Sequence, residues 1–329
     1  MKKFLNHVDD FLGESLAGFA AAHSDLVVLH TGPFFVRRRN LQPRKVALIS
    51  GGGSGHEPLH AGFVGHGMLD AACPGQVFTS PTPDQMIAAA EVVDTGGGVL
   101  FIVKNYSGDI MNFEMAAEMC GRKNANVLVN DDVAVEISNF TTGRRGVAGT
   151  VIVEKVVGSL AESGGDLETC KAFGDRVTTQ MASMGVALTS CTVPKAGRPT
   201  LTLGEDEMEM GVGIHGEAGR RRSKMMPADS IAEELLAAIL TDLRPPKGSN
   251  VLLLVNGLGG TPLGELYVLC NAAHRTLSAN GLQVRRTLVG NFTTSLEMAG
   301  ASFTVCLLDE EILRHWDSPV HTPALRWGV

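Results

Sequence analysis

The chain has 329 residues, of which 44% are hydrophobic and 5% aromatic, and its formal net charge is −7 at pH 7. A mildly acidic chain lacks the concentrated basic face that nucleic acids require, and it has few aromatic residues to stack on bases. The six cysteines form no CxxC pair, so neither a zinc site nor a redox dithiol is indicated. The N-terminus lacks the apolar region of a signal peptide, and no window is apolar enough to span a membrane. We therefore expect a soluble, cytoplasmic protein that binds neither nucleic acid nor membrane.

The first half of the chain alternates buried strands with helices. Apolar residues at helical spacing predict a helix near residues 6–23, and "RKVALISGGGSGHEPLHAGFVG" predicts a buried strand, a glycine-rich turn and a further helix. The segments "GVLFIVKNYSGD" and "ANVLVNDDVAV" each begin as a buried strand and continue as a polar loop. Further helices are predicted from Pro83, over about 147–160 and over about 167–184. This alternation predicts βαβ units in a largely parallel sheet flanked by helices.

The second half has a different pattern. The segments "GVALTSCTV" and "MEMGVGIHG" alternate apolar and polar residues, as half-exposed strands do. A predicted helix over about 229–240 leads into the linker "LRPPKGSN", and "VLLLVNGLGGTPLGELYVLCNAAHRTL" repeats the order of strand, glycine turn and helix. Two more strands are predicted in "LQVRRTLVG" and "SFTVCLLD". We predict two α/β domains: an N-terminal one over residues 1–183, and a smaller, mixed-sheet one over 184–329 whose last residues pack back on the first.

The glycine-rich loop Gly51–Pro58 follows a predicted strand, at the edge of the sheet where α/β proteins bind ligands. A dinucleotide fingerprint would need glycine where His56 stands, and a P-loop would need a lysine that is absent from this loop. The loop can still offer backbone N–H groups to a small, oxygen-rich ligand. A purely structural turn is the alternative, although His56 beside the glycines favours a site.

Two other segments carry candidate chemistry. Lys104 and Asp109 follow a buried strand, and they form either a solvated ion pair or a site where the carboxylate accepts a hydroxyl proton and the lysine donates to a substrate oxygen. His215 stands among four glycines in "MEMGVGIHGEAG" and is either an ordinary loop residue or an imidazole nucleophile. Asp131 and Asp132 are too few carboxylates to predict a metal site.

A set of longer blocks goes further than any single loop. The chain contains, in this order, "SGGGSGHEPLHAGFVGHGMLDAACPG", "FTSPTPDQ", "VKNYSGDIMNFEMA", "GRRGVAGTV", "CTVP", "MEMGVGIHGE" and "DSPVHTPALRWG". Over essentially its whole length it resembles the substrate-binding K subunit of the dihydroxyacetone kinase family. The resemblance implies that His215 adds to the ketone carbon of dihydroxyacetone and forms a hemiaminal.

The resemblance also assigns the remaining site residues and the partners. It implies that the substrate is lined by Gly53, Ser54, Gly55 and His56, that Lys104 and Asp109 bind its hydroxyls, and that His56, assisted by Asp109, is the general base. No cofactor or metal is expected on this chain, because Mg²⁺ and ADP or ATP would belong to a partner L subunit. A phosphotransferase-system M component would recharge that partner, and the chain itself is expected to be a free K subunit that forms a homodimer.

Two departures from the family pattern leave alternatives open. The chain has "LRPPKGSN" where relatives carry a longer insert, and Asn130 stands in place of the first of three aspartates. The trimmed loop leaves erythrulose open as the substrate. A ketose-sensing co-activator without catalytic activity is the alternative from another class, and the presence of both His56 and Asp109 favours the enzyme, because a sensor has no use for a general base.

Overall fold

Two six-stranded sheets form the framework of the chain. They are seen in a computed structural model, which describes residues 2–134, 137–138 and 141–329. The predicted α/β class is confirmed by the alternation of helices with both sheets. The division of domains after residue 183 stays a prediction, and a strand of the second sheet runs across this position.

The first sheet lies in the N-terminal half. Its strands are β1 (Val27–Thr31), β2 (Phe34–Arg38), β3 (Ala47–Ser54), β4 (Ala71–Val77), β5 (Val99–Lys104) and β6 (Asn124–Val129). They lie in the order β1-β2-β4-β3-β5-β6, and β4, β3, β5 and β6 are parallel to one another. The surrounding helices are α1 (Phe11–Ala22), α2 (Pro83–Val93), α3 (Ser107–Met119), α4 (Gly149–Glu162) and α5 (Leu167–Thr178). The predicted parallel core is confirmed, whereas the antiparallel hairpin β1–β2 was not predicted.

Alternate residues of the parallel strands face opposite layers of helices, as the two-residue period of a strand requires. Leu48 of β3 packs in a core cluster with residues of α4 and α5, and its neighbour Ile49 packs in a separate cluster with residues of α2 and α3. Because both faces are covered, the central strands β3 and β5 are mostly apolar and all their residues are buried.

The second sheet is mixed and follows in the chain. A two-stranded ribbon, β7 (Ile137–Ser138) with β8 (Thr141–Thr142), precedes it. The strands of the second sheet are β9 (Met181–Ala187), β10 (Glu207–Met210), β11 (Arg221–Lys224), β12 (Asn250–Gly257), β13 (Gln283–Gly290) and β14 (Gly300–Leu307). They lie in the order β11-β10-β9-β14-β12-β13. Helices α6 (Ala228–Leu243) and α7 (Leu263–Ala279) cover one face. The chain ends with α8 (Glu310–Asp317), β15 (Val320–His321) and β16 (Arg326–Trp327).

Helix α4 lies between the two halves and is buried on every side. All thirteen residues from Gly149 to Ala161 are buried, and their apolar side chains share one core cluster with residues of both sheets. Two charged residues, Glu154 and Lys155, are part of this buried stretch. The ammonium of Lys155 donates to the backbone carbonyl of His315 at 2.7 Å. A helix in this position holds the two sheets in a fixed relation.

Several predicted boundaries were wrong around the candidate site. The glycines Gly51–Gly53 belong to β3, because without side chains they let it lie close against β4. The helix predicted after the loop is only a 3₁₀ turn, Ala61–Phe63, in a stretch interrupted by Pro58 and glycines. Helix α3 begins at Ser107, so Asp109 lies in its first turn and not in a loop.

Two further expectations need correction. The helix predicted to reach residue 184 ends at Thr178, where the chain turns into β9. The run of three arginines at 37–39 predicts a solvated surface in an otherwise acidic chain, but Arg38 is buried in ion pairs with Asp70 and Glu162.

The close packing of α4 predicts opposite effects for two glycine-to-alanine substitutions. A Cβ at Gly158 would lie 2.5 Å from the Cα of Met68, so Gly158→Ala should destabilise the protein by about 1–3 kcal/mol. A Cβ at Gly18, exposed within α1, would meet no atom within 4 Å. Gly18→Ala should therefore stabilise by about 0.5–1 kcal/mol. Urea denaturation followed by circular dichroism checks both, and a shift of the same sign in the two variants would contradict the packing argument.

Candidate functional site

Four of the predicted side chains converge where loops from the two sheets meet. His56 follows β3, Lys104 ends β5 and Asp109 lies in the first turn of α3. His215 comes from the long loop between β10 and β11 of the other sheet, and its ring centre lies 4.8 Å from that of His56. The chain order separates these residues by up to 159 positions, so tertiary packing alone brings them together.

His56 is held in one tautomer by a backbone carbonyl. Its Nδ1 lies 2.7 Å from the carbonyl oxygen of Thr294, and because a carbonyl only accepts, Nδ1 carries the proton. Burial, together with His215 and the Lys104 charge, lowers the pKa of His56 well below its usual value, so the ring is neutral. Its Nε2 is buried and has no hydrogen-bond partner among the described residues. The ring thus presents an unprotonated nitrogen as an acceptor.

Lys104 and Asp109 form a buried ion pair, and the Lys104 charge acts on His56. The Lys104 ammonium lies 3.4 Å from Oδ2 of Asp109, 3.0 Å from Nε2 of His60 and 3.2 Å from the carbonyl oxygen of Gly51. The other carboxylate oxygen of Asp109, Oδ1, is buried without a partner in the described part of the chain. The start of α3 favours a negative charge there through the helix dipole.

His215 is enclosed by aromatic rings and has a carboxylate on one side. Its ring lies 4.6 Å from that of Tyr106 and 5.2 Å from that of Phe78, centre to centre. Burial and the positive charges of Lys104 and Arg145 lower its pKa to about 3, so the imidazole is neutral at pH 7. Oε2 of Glu217 accepts the backbone N–H of His215 at 2.9 Å, and Oε1 lies 4.0 Å from Nδ1. A neutral ring beside a carboxylate is well suited to nucleophilic addition, since positive charge develops on it as a bond forms.

The predicted substrate-lining backbone is in place, but part of it is already hydrogen-bonded. The Ser54 hydroxyl donates to the carbonyl of Gly75 at 2.7 Å, and the N–H of Gly55 donates to the Glu57 carboxylate at 3.0 Å. Gly53 lies so close to Thr79 that a Cβ would come within 2.6 Å of its backbone nitrogen. The roles of these three residues toward a substrate stay predictions.

Sequence reasoning missed the residues that support the site. These are His60, Tyr106, Arg145, Glu154, Glu217 and Thr294. Glu154 could have been found from its charge in the mostly apolar stretch "GTVIVEKVVGSLA", where a carboxylate and the lysine after it would each need a specific partner if buried. Thr294 contributes only a carbonyl oxygen, for which no side-chain pattern exists.

The two acidic residues considered for a cation are engaged in structural bonds. Asp131 accepts the backbone N–H groups of Val147 and Gly149 at 2.8 Å each, and Asp132 pairs with Arg145 at 2.6 Å. Within residues 2–134, 137–138 and 141–329, no three His, Cys, Asp or Glu side chains are grouped to hold a metal ion.

None of the described helices combines the length and apolarity needed to cross a membrane.

Comparison with known proteins identifies the family. The model of the Dak1 domain matches residues 17–324. The chain belongs to the Dak1 domain family. A curated relative from Listeria innocua, named as the dihydroxyacetone-binding subunit of a PTS-dependent dihydroxyacetone kinase, is 51% identical, and the match covers 94% of this chain and 95% of the relative.

Two solved structures of Dak1-like chains share the fold. A dihydroxyacetone kinase operon co-activator superimposes with a TM-score of 0.89 at 34% identity, covering 94% of this chain and 97% of its own. The dihydroxyacetone kinase of C. freundii, solved with AMP-PNP and Mg²⁺, also gives 0.89, at 32% identity, with 99% of this chain matched to 61% of the longer kinase. The predicted family resemblance and the predicted α/β architecture are both confirmed.

The neutral state of His215 makes the stability of the protein sensitive to acid. Its folded pKa lies below the unfolded value of about 6.5, so the unfolded chain takes up the proton first as pH falls. The contribution of His215 to the free energy of unfolding is therefore fully present above about pH 6.5 and is lost as pH falls toward about 3. By pH 5 the loss amounts to about 2 kcal/mol.

Urea denaturation between pH 7 and 5 measures this contribution. His215→Asn should flatten the dependence of the unfolding free energy on pH, whatever its effect at pH 7. His7→Asn, which removes an exposed imidazole, is the control. An unchanged slope in His215→Asn would show that His215 is already charged in the folded protein or is not buried from solvent.

Proposed function

We propose that this chain is the ketose-binding subunit of a dihydroxyacetone kinase. It holds dihydroxyacetone covalently on His215 and presents one of its hydroxyl groups to a phosphoryl donor carried by another chain. The observation that carries the proposal is a pair of buried acceptors without partners in the described chain. They are Nε2 of His56, whose ring centre lies 4.8 Å from that of His215, and Oδ1 of Asp109, whose carboxylate pairs with Lys104. Buried acceptors without a partner are costly, and the hydroxyl groups of a small ketose would satisfy both.

The covalent step balances with the groups at hand. The lone pair of a His215 ring nitrogen adds to the ketone carbon, an N–C bond forms and the C=O π bond opens. The resulting imidazolium gives up a proton and the former carbonyl oxygen takes one, which leaves a neutral hemiaminal. Glu217, 4.0 Å from Nδ1, stabilises the positive ring while it exists. Because glycerol has no carbonyl, it cannot be held in this way.

Phosphoryl transfer then requires mainly positioning and charge. The adduct fixes a molecule that is too small to be held tightly by non-covalent contacts. One hydroxyl group donates to Nε2 of His56, which takes its proton as the oxygen attacks phosphorus. Asp109 accepts a hydrogen bond from another hydroxyl group of the adduct and so orients the molecule, with Lys104 balancing the charge of the carboxylate.

We place the nucleotide and Mg²⁺ on a partner chain. Support comes from the C. freundii kinase with AMP-PNP and Mg²⁺, of which this chain matches 61%, so that kinase contains a further part outside the match. Relatives from Listeria innocua and Lactococcus lactis are named as subunits of PTS-dependent kinases, which supports a phosphotransferase-system protein as the source of phosphoryl groups. A homodimer of this chain and a cytoplasmic location are part of the same proposal.

A co-activator that senses ketose is the second candidate, favoured by the equal TM-score of the operon co-activator. Such a protein needs His215 but has no use for a base. The geometry of His56 favours the kinase subunit, because Nδ1 is engaged by the Thr294 carbonyl and the buried Nε2, without a partner in the described chain, is the nitrogen that can accept a hydroxyl proton.

Binding and turnover should separate cleanly in two variants. His215→Ala should abolish the adduct. The adduct is detected with dihydroxyacetone labelled with ¹³C at its carbonyl carbon, whose signal moves from the carbonyl to the tetrahedral region when the N–C bond forms. Asp109→Ala should keep the adduct but lower the rate of phosphorylation, measured with the partner chain and its phosphoryl donor, by about 10²- to 10⁴-fold. Asp109 would lose its proposed role if that variant turned over normally.

The wild-type assay, run with erythrulose in parallel, tests the substrate. Faster turnover of dihydroxyacetone supports the proposal, and faster turnover of erythrulose changes the ketose while keeping the chemistry. A ketose adduct without turnover of either compound would favour the co-activator.

A further inference from the structure

We propose that His60 and Glu154 are positioning residues for Lys104, and that together they hold its ammonium group charged and in place beside Asp109. The inference rests on the proposed function, because it assigns a task to side chains that lie behind the same ketose site. Neither residue touches the groups that would react.

A continuous line of polar contacts runs from the buried helix α4 to the site. Oε1 of Glu154 lies 2.6 Å from Nδ1 of His60, and Nε2 of His60 lies 3.0 Å from Nζ of Lys104. The line ends at Asp109, 3.4 Å further on. The exposed fractions of Glu154, His60 and Lys104 are 0, 6 and 1%, so solvent barely screens their interactions.

The direction of each hydrogen bond follows from the ammonium. Lys104 has only hydrogens to donate, so Nε2 of His60 accepts, and the proton of the neutral ring is on Nδ1. That N–H then donates to Glu154. Burial and the Lys104 charge lower the pKa of His60, in keeping with a neutral ring, while burial raises the pKa of Glu154 and the Lys104 ammonium opposes that rise. His60 therefore links an acid in the core to the ammonium without carrying charge itself.

The ammonium is held from behind and left available in front. Its three hydrogens face the Gly51 carbonyl at 3.2 Å, His60 at 3.0 Å and Asp109 at 3.4 Å. The contact to Asp109 is the longest, and it is the one that a ketose hydroxyl can share. A Cβ at Gly52 would lie 2.2 Å from Nζ, so the glycine strand leaves the space that this placement needs.

A purely structural role does not explain a carboxylate at this position. Glu154 lies in a mostly apolar, fully buried stretch of α4 in which Lys155 is the other charged residue, and the Lys155 ammonium is bonded to the His315 carbonyl and not to Glu154. Oε2 of Glu154 has no hydrogen-bond partner in the described chain. Apolar residues often stabilise such a position at least as well as a buried charge does. Proteins retain a buried acidic side chain in a mostly apolar segment mainly where it supports a functional site.

A double-mutant cycle tests whether Glu154 acts through Lys104. Glu154→Gln keeps the shape of the side chain and replaces its acid group with an amide, and Lys104→Met removes the ammonium. With dihydroxyacetone and the partner chain, Glu154→Gln should lower kcat about 10- to 100-fold, as loss of a supporting partner does at other sites, and change KM by less than about threefold. In the Lys104→Met background, Glu154→Gln should cause no further loss.

The control is Glu162→Gln on the same helix, which removes a buried carboxylate that contacts Arg38 and not Lys104. His60→Gln, at the other end of the Glu154 contact, should lower kcat in the same way and carries the test if Glu154→Gln does not fold. An equal loss in both Lys104 backgrounds, or a Glu154→Gln variant that behaves like the control, overturns the inference. A wild-type chain that neither forms the adduct nor turns over ketose overturns the proposed function instead.

Discussion

A single ammonium group inside the protein must be kept charged, and the arrangement of the site depends on it. Lys104 is 1% exposed, and an unpaired charge at that depth would be too costly to keep. Three acceptors compensate it, and they come from β3, from the turn after it and from α3, with Glu154 of α4 behind the second. Strand, turn and both helices must be correctly placed for the ammonium to be tolerated, so the fold and the site are stabilised by the same contacts.

The same charge determines what the histidines can do. It acts with burial to keep the rings of His56, His60 and His215 neutral, so that none of them is an imidazolium at physiological pH. The neighbouring polar group then distinguishes one neutral ring from another. The Thr294 carbonyl binds Nδ1 of His56 and leaves its Nε2 unprotonated, whereas the carboxylate of Glu217 lies 4.0 Å from Nδ1 of His215. Histidine chemistry here is controlled by electrostatics that no local sequence pattern records.

The limits of sequence reasoning follow from this dependence. The strands, the parallel core and the loop positions of His56, Lys104 and His215 follow from local periodicity and glycine placement, and the family resemblance adds their roles. The extension of β3 through its glycines was missed, because it depends on contact with β4 and not on propensity. His60 and Glu154 were missed because they contact each other from positions 94 residues apart in the chain. The one local indication was the charge of Glu154 within a mostly apolar segment.

The position of His215 on the second sheet gives the site its remaining property. Its loop is tied to the segment that follows β6, because Arg145 pairs both with Asp132 of that segment and with Glu217 of the His215 loop. Arg145 is fully buried, so water cannot replace either of its two acidic partners. The glycines around His215 give its loop few side chains to pack, and the buried ion pairs supply the order that those glycines remove. His215, the proposed nucleophile, is therefore positioned only when the two sheets are assembled around α4.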